Sequence, residues 1–169
     1  VSVSGDFIKY MNAVGKVTLS TEGKSTEIKQ EHIKLVLDDA KESVLKQTGL
    51  ENYEIIHTIP KFFLIDNNSE HYKLPLMFSG TKLSGEIITI MAEKIILQNI
   101  SKCFEISGYK VDSYVLSSYA SALGVLSEQE KELGCILIDI GAGISDAMIF
   151  SKKYIQAISV NLVGSEEIT

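Results

Sequence analysis

Asp139, Gly141, Gly143 and Asp146 fall in one short turn between two apolar runs, 135–138 and 147–150. The chemistry such a turn can do is phosphate binding. Glycine carries no Cβ, so Gly141 and Gly143 can take φ > 0 and let the backbone come close to a ligand. Successive N–H groups in such a turn converge on an anion. A carboxylate beside a phosphate is explained by a bridging Mg²⁺, which is held by one or two carboxylates together with the phosphates and water. On the turn alone, an ordinary hairpin with a solvated Asp139 remains the alternative. The dinucleotide-binding glycine pattern does not fit: it needs a third glycine where Asp146 stands, and a helix where a strand-length apolar run follows.

The elements that must position this turn come next. Residues 135–138 read as a buried strand, 147–150 as its return, and 154–163 as a third strand, with Ser151, Lys152 and Lys153 in the turn between. Three strands with short turns followed by a helix predict an antiparallel meander. Upstream, 118–127 is a helix with small residues (Ala120, Ser121, Ala122, Gly124), and 127–134 is a charged linker and the best internal boundary. Residues 110–117 read as a strand, 93–107 as a helix stopped by Gly108, and 82–92 as a strand. Residues 53–65 are rich in strand formers, and Pro60 places that strand at an edge or a bulge. Asp66 to Ser69 is a turn. Residues 30–47 form a helix whose apolar stripe is Ile33, Val36, Leu37, Ala40, Val44 and Leu45. Residues 21–26 are a loop, and 1–20 hold one or two strands.

Composition excludes several function classes. The chain of 169 residues is 45% hydrophobic and 22% charged, a balance found in globular domains. Its net charge is −6, and no Lys/Arg stripe with interleaved aromatics points to nucleic acid. No apolar run approaches the roughly 18 residues that span a bilayer, and 1–6 do not read as the basic start of a signal peptide. Cys103 and Cys135 fit no metal or redox spacing and read as reduced core residues, which points to the cytoplasm. His32, His57 and His71 are scattered, and His57 reads as a structural residue in an apolar strand. Both ends read as cut. Val1 begins at once in an alternating segment, and Ser165 with Glu166 and Glu167 starts a helix that Thr169 interrupts. The expectation is an internal stretch of a longer chain.

The turn resembles the second phosphate loop of the actin-like ATPases, the superfamily of actin, bacterial filament proteins, chaperone ATPases and sugar kinases. Their pattern is an apolar strand, Asp-x-Gly-x-Gly-x-x-Asp, and a second strand; Asp139, Gly141, Gly143 and Asp146 occupy those places. Within the superfamily the chain resembles the bacterial cell-division family FtsA. The matching stretches are 56–60 (Ile-His-Thr-Ile-Pro), 64–66 (Leu-Ile-Asp), 78–80 (Phe-Ser-Gly), 107–112 (Ser-Gly-Tyr-Lys-Val-Asp) and 130–134 (Glu-Lys-Glu-Leu-Gly), in that order. The resemblance covers essentially the whole chain.

This resemblance implies an α/β fold made of an α+β inserted subdomain, called 1C, at 1–112 and part of an actin-like ATPase core. In that core, 113–134 would end the first lobe, with 118–127 as its linking helix, and 135–169 would begin the second. It implies ATP and Mg²⁺ as cofactors. Asp139 would hold Mg²⁺ through water, and the backbones of Gly141, Ala142, Gly143, Ile144 and Ser145 would face the phosphates, with Gly164 nearby. Ile144 stands where many relatives have Thr. Ser118 stands near the position where many place Glu or Gln to orient the attacking water, which implies at most slow hydrolysis. The implied partners are FtsZ, later division proteins and further copies in a filament, at the cytoplasmic face of the membrane at the division site. The membrane helix, the FtsZ-binding subdomain, the first phosphate hairpin and the adenine-contacting segment are absent from these residues, so negligible ATP affinity is expected of this stretch alone. The alternatives are a PilM-like pilus-assembly adaptor and an interaction module with an idle loop. A sugar kinase or chaperone ATPase fits less well, because those families carry their insertions elsewhere.

Overall fold

The apolar runs become strands and the stripes of helical spacing become helices. The computed structural model describes residues 1–20, 23–47 and 49–168; the predicted loop at 21–26 lies partly outside them. In chain order the elements are β1 (Ser2–Val3), β2 (Ile8–Thr18), β3 (Thr26–Glu27), α1 (Gln30–Leu45), β4 (Tyr53–Ile65), β5 (Ser79–Gly80), β6 (Lys82–Glu93), α2 (Lys94–Ile106), β7 (Val115–Leu116), α3 (Ser117–Val125), α4 (Glu128–Leu133), β8 (Cys135–Ile140), β9 (Ser145–Ser151), β10 (Tyr154–Asn161) and α5 (Ser165–Ile168). This is an α/β fold. Packing divides it into two units: residues 1–10, 52–56 and 90–169, and residues 11–51 and 57–89. That division groups 90–112 with the residues that follow, whereas the resemblance grouped it with 1–89.

The second unit is built on the order β2-β6-β4. β6 is central, and its neighbouring residues Ile87 and Ile88, which point to opposite faces, are both fully buried. Pro60 lies in β4, an edge strand of this sheet. Helix α1 buries Ile33, Val36, Ala40 and Val44. Its backbone touches β2 at Gly15, where a Cβ would sit 1.9 Å from the Val36 carbonyl oxygen, so no larger residue fits. The turn after β4 is held by Asp66, whose Oδ1 accepts from the Thr81 and Lys82 N–H groups at 2.8 Å each.

The first unit holds the meander. The strand order is β10-β9-β8, both pairs antiparallel, with Met148, Phe150, Ile155 and Ile158 buried on one face. Helix α3 packs on β8 and β9. β1 lies parallel to β7, with Ser2 opposite Val115 and Val3 opposite Leu116.

Four expectations are corrected. The predicted strand at 110–117 shrinks to two residues, because its only partner among the described residues is the two-residue β1. The predicted linker at 127–134 is helix α4. Ser127 caps it by accepting from the Glu130 N–H, and the Glu130 carboxylate returns a bond to the Ser127 N–H. β8 is not buried on both sides: it is an outer strand, and Ile136, Ile138 and Ile140 are exposed at 62%, 62% and 57%. Cys103 lies on the open side of α2, whose only buried residue is Leu97, and Cys135 is half-buried; both thiols are free. Among the described residues no helix is long and apolar enough to cross a membrane.

Candidate phosphate-binding site

Residues 141–144 join β8 to β9, and the strand register sets the acids beside them. Asp139 stands directly opposite Asp146 across the ladder, on the face that α3 covers. Like charges directly opposite one another destabilise a sheet. Here hydroxyl and amide donors answer both carboxylates. Asp139 Oδ2 accepts from the Ser121 hydroxyl on α3 at 2.8 Å. The two oxygens of Asp146 lie 2.6 and 2.7 Å from the Ser4 hydroxyl, which follows β1. The Ser118 N–H, in the first turn of α3, also donates to Asp146.

Asp146 is only 3% exposed. Burial raises its pKa above the usual 3.8; the Ser4 hydroxyl works against the rise, the charge of Asp139 adds to it, and the Ser118 N–H opposes it. The sign of the linkage follows. The native state holds this proton more tightly than the unfolded chain, so the Asp146 contribution to stability is fullest below the unfolded value. It is lost as pH rises through the raised native value. Urea unfolding of wild type and Asp146→Asn between pH 4 and 8 should therefore show wild type losing stability relative to the variant as pH rises, then levelling. A difference that stays flat, or rises with pH, would contradict this assignment.

Ser118, expected near the position that orients water in relatives, is fully buried, and its hydroxyl has no partner among the described residues. The hydroxyl that α3 presents to the acids is that of Ser121, one turn on. An orphaned buried hydroxyl costs about 1–3 kcal/mol. Ser118→Ala removes it and keeps the backbone donor to Asp146, so the variant should be more stable by about 1 kcal/mol, read as a higher urea midpoint. A lower midpoint would show that the hydroxyl has a partner.

The loop is fixed from below. The Gly141 N–H donates to the Ile144 carbonyl at 2.8 Å, and the carbonyls of Gly141 and Ala142 accept from the Ser165 and Glu166 N–H groups at 3.0 Å each. The Ser145 hydroxyl donates to the Val163 carbonyl at 2.6 Å. Gly164 lies against the loop, and a Cβ there would sit 2.0 Å from the Ala142 oxygen and 2.5 Å from the Gly143 nitrogen. The positive φ expected of Gly141 and Gly143 is absent. The four-residue connection closes without it, since it is longer than the two-residue hairpins that demand φ > 0. Nothing in the protein lies within 4 Å of where a Cβ of Gly143 would stand, and a Cβ of Gly141 would meet the Ile144 carbonyl oxygen at 3.2 Å.

Of the five backbone positions assigned to phosphate, three carry open donors. Among the described residues the N–H groups of Ala142, Gly143 and Ile144 have no acceptor. They are consecutive, on a turn whose residues 141–143 are exposed. This suits an anion. No cluster of three His, Cys, Asp or Glu side chains that could hold a metal occurs among the described residues. A divalent ion here would thus rest on Asp139, water and the ligand's own oxygens, the arrangement Mg²⁺ tolerates best. Ser4 and Ser121 escaped the sequence reading. The pattern of acids marks the carboxylates, but nothing local marks donors 142 and 18 residues away.

Residues 5–91 match the family model described as "SHS2 domain inserted in FTSA". The chain is 34% identical to the cell division protein FtsA of Borreliella burgdorferi, over 89% of this chain and 35% of that protein. It is 32% identical to FtsA of Pseudomonas aeruginosa, over all of this chain and 38% of the relative. For FtsA of Bacillus subtilis the identity is 32%, over all of this chain and 37% of the relative. The chain thus spans a little over a third of the length of these relatives.

Proposed function

The chain belongs to the FtsA cell-division family, and from that premise we propose that its 141–144 turn binds the phosphates of ATP together with Mg²⁺. The observation that carries this is the run of three unengaged N–H donors at Ala142, Gly143 and Ile144, beside a carboxylate held in place by Ser121.

Each residue has a part. The three N–H groups hold phosphate oxygens. The turn is supported by the Gly141 N–H on the Ile144 carbonyl and by the Gly141 and Ala142 carbonyls, which accept from Ser165 and Glu166. The supporting bonds keep the donors aimed, so that only a small closing movement is left when an anion arrives. Mg²⁺, when bound, neutralises phosphate charge; Asp139 supplies the carboxylate that holds it through water. Asp146 is turned to Ser4 and away from that task. Gly164 gives the turn room to lie on the chain beneath it. Ser118, a poor general base, is given no part in hydrolysis, which is slow, with ATP serving mainly as a structural or polymerisation ligand.

We place this site in a polypeptide of the relatives' length, where a second lobe edge completes the cleft. That polypeptide would polymerise, tether FtsZ to the cytoplasmic membrane and recruit later division proteins. The test is ATP binding by the full-length polypeptide with and without Mg²⁺. Binding that requires Mg²⁺ supports the reading; binding indifferent to it would sink it.

A further inference from the structure

Asp146 is the one acid of the turn that the proposed nucleotide chemistry does not use. Its carboxylate also accepts from two distant segments of the chain, at Ser4 and at Ser118. It sits at the second position of β9, two residues beyond the turn. Three groups converge on its carboxylate or face it: the Ser4 hydroxyl on both oxygens, the Ser118 N–H, and Asp139 across the ladder. Ser118 and Ser121 both belong to α3, so α3 grips the two acids of the hairpin at once. Ser4 alone comes from elsewhere in the chain, and its position is informative. It immediately precedes residue 5, where the match to the SHS2 domain begins. Gly5 follows at φ +154, in a bend where a Cβ would lie 2.5 Å from the Phe7 ring. The Phe7 carbonyl then accepts from the Glu93 N–H at 3.2 Å, and the Gly5 carbonyl from the Ile8 N–H at 3.1 Å. The root of the inserted domain, where the chain both enters at 5–8 and leaves at 93, is thus bonded through a few residues to the base of the phosphate turn.

We propose that Asp146 is a positioning residue that holds the phosphate turn to the root of the SHS2 domain through Ser4, so that the shape of each reports on the other. The bond is charge-assisted, buried on the Asp146 side, and joins segments 142 residues apart. A carboxylate taking one hydroxyl on both oxygens is sensitive to small displacement, because a hydrogen bond weakens steeply once its angle falls. A turn that closes on phosphate shifts the start of β9, and with it this carboxylate. That last consequence rests on the proposed nucleotide site; the bond and its two-way effect do not.

The test is amide hydrogen exchange on this chain without nucleotide, so that a failed latch and a failed nucleotide site are told apart. Ser4→Ala should speed exchange about tenfold at Gly141 and Glu166, whose N–H groups report the turn's own bonds. Asp146→Ala, which removes the acceptor, should do the same in the other direction, at Ile8 and Glu93. Ser4→Thr, which keeps the hydroxyl, should restore wild-type rates at Gly141 and Glu166. Effects of Ser4→Ala confined to residues 1–8 would overturn the proposal. So would an equal rise at every amide, or a failure of Ser4→Thr to rescue. In the full-length polypeptide, ATP should slow exchange at Ile8 and Glu93 in wild type and leave it unchanged in Ser4→Ala. Slowing of equal size in both would overturn the proposed transmission.

Discussion

Gly164→Ala should weaken ATP binding by the full-length polypeptide at least tenfold and lower the stability of this chain by about 1–3 kcal/mol. The reason is a collision between backbones. The new methyl would lie 2.0 Å from the Ala142 carbonyl oxygen, 2.3 Å from its carbon and 2.5 Å from the Gly143 nitrogen. No rotamer relieves this, since a Cβ has none and the atoms it meets are main chain. Either the turn lifts by about an ångström or the residues beneath it drop. In both cases the bonds from Ser165 and Glu166 to the Gly141 and Ala142 carbonyls are strained, and the donors of Ala142 and Gly143 lose their aim. Hydrogen bonds to charged groups are worth about 1.5–3 kcal/mol each, so losing one already accounts for the tenfold. Gly143→Ala is the control. A Cβ there meets nothing within 4 Å in the protein itself, so any loss of ATP affinity it causes comes from contact with the ligand and leaves stability alone. Full affinity in Gly164→Ala would mean that the turn's position on 164–166 does not matter to binding.

What could be read from the sequence was what is local. The meander was legible because short apolar runs and two short turns lie within 30 residues of one another. Pro60 marked an edge strand because its missing N–H acts at its own position. The family, too, was legible, since the order of short matched stretches carries it. What escaped depends on distant parts of the chain. β7 is short because β1, more than a hundred residues earlier, offers it only two partners. Cys103 looked like core because it shares a stripe with Ile96 and Ile100, yet α2 buries only Leu97. α4 was legible in principle: Ser127 and Glu130 form a capping box, but the run of charges masked it as a linker. At the candidate site, the sequence puts Asp139, Gly141 and Gly143 at one strand connection, and they lie at the end of β8 and in the turn that follows it. The positive φ that glycine permits is not used at either Gly141 or Gly143. The serines that hold the acids carried no signal at all, since a serine on a small-residue helix and one near the start of the chain look like any others.

The largest effect expected of a side chain at the site is that of Asp139→Ala. Its carboxylate is oriented by Ser121 and lies beside the open donors of the turn. It is proposed to hold Mg²⁺ through water, and loss of such an indirect metal partner costs about 10–100-fold in affinity. The fold should tolerate the change, because removing Asp139 also removes a like charge opposite Asp146. The decisive measurement is calorimetric titration of ATP into the full-length polypeptide, wild type beside Asp139→Ala, each with Mg²⁺ and with chelator. The predicted result is tight binding only in wild type with Mg²⁺, weaker by about 10–100-fold in the variant, with the chelator removing the difference between the two. Equal affinities in wild type and variant, with Mg²⁺ present, would contradict the account and leave residues 135–151 as a core hairpin.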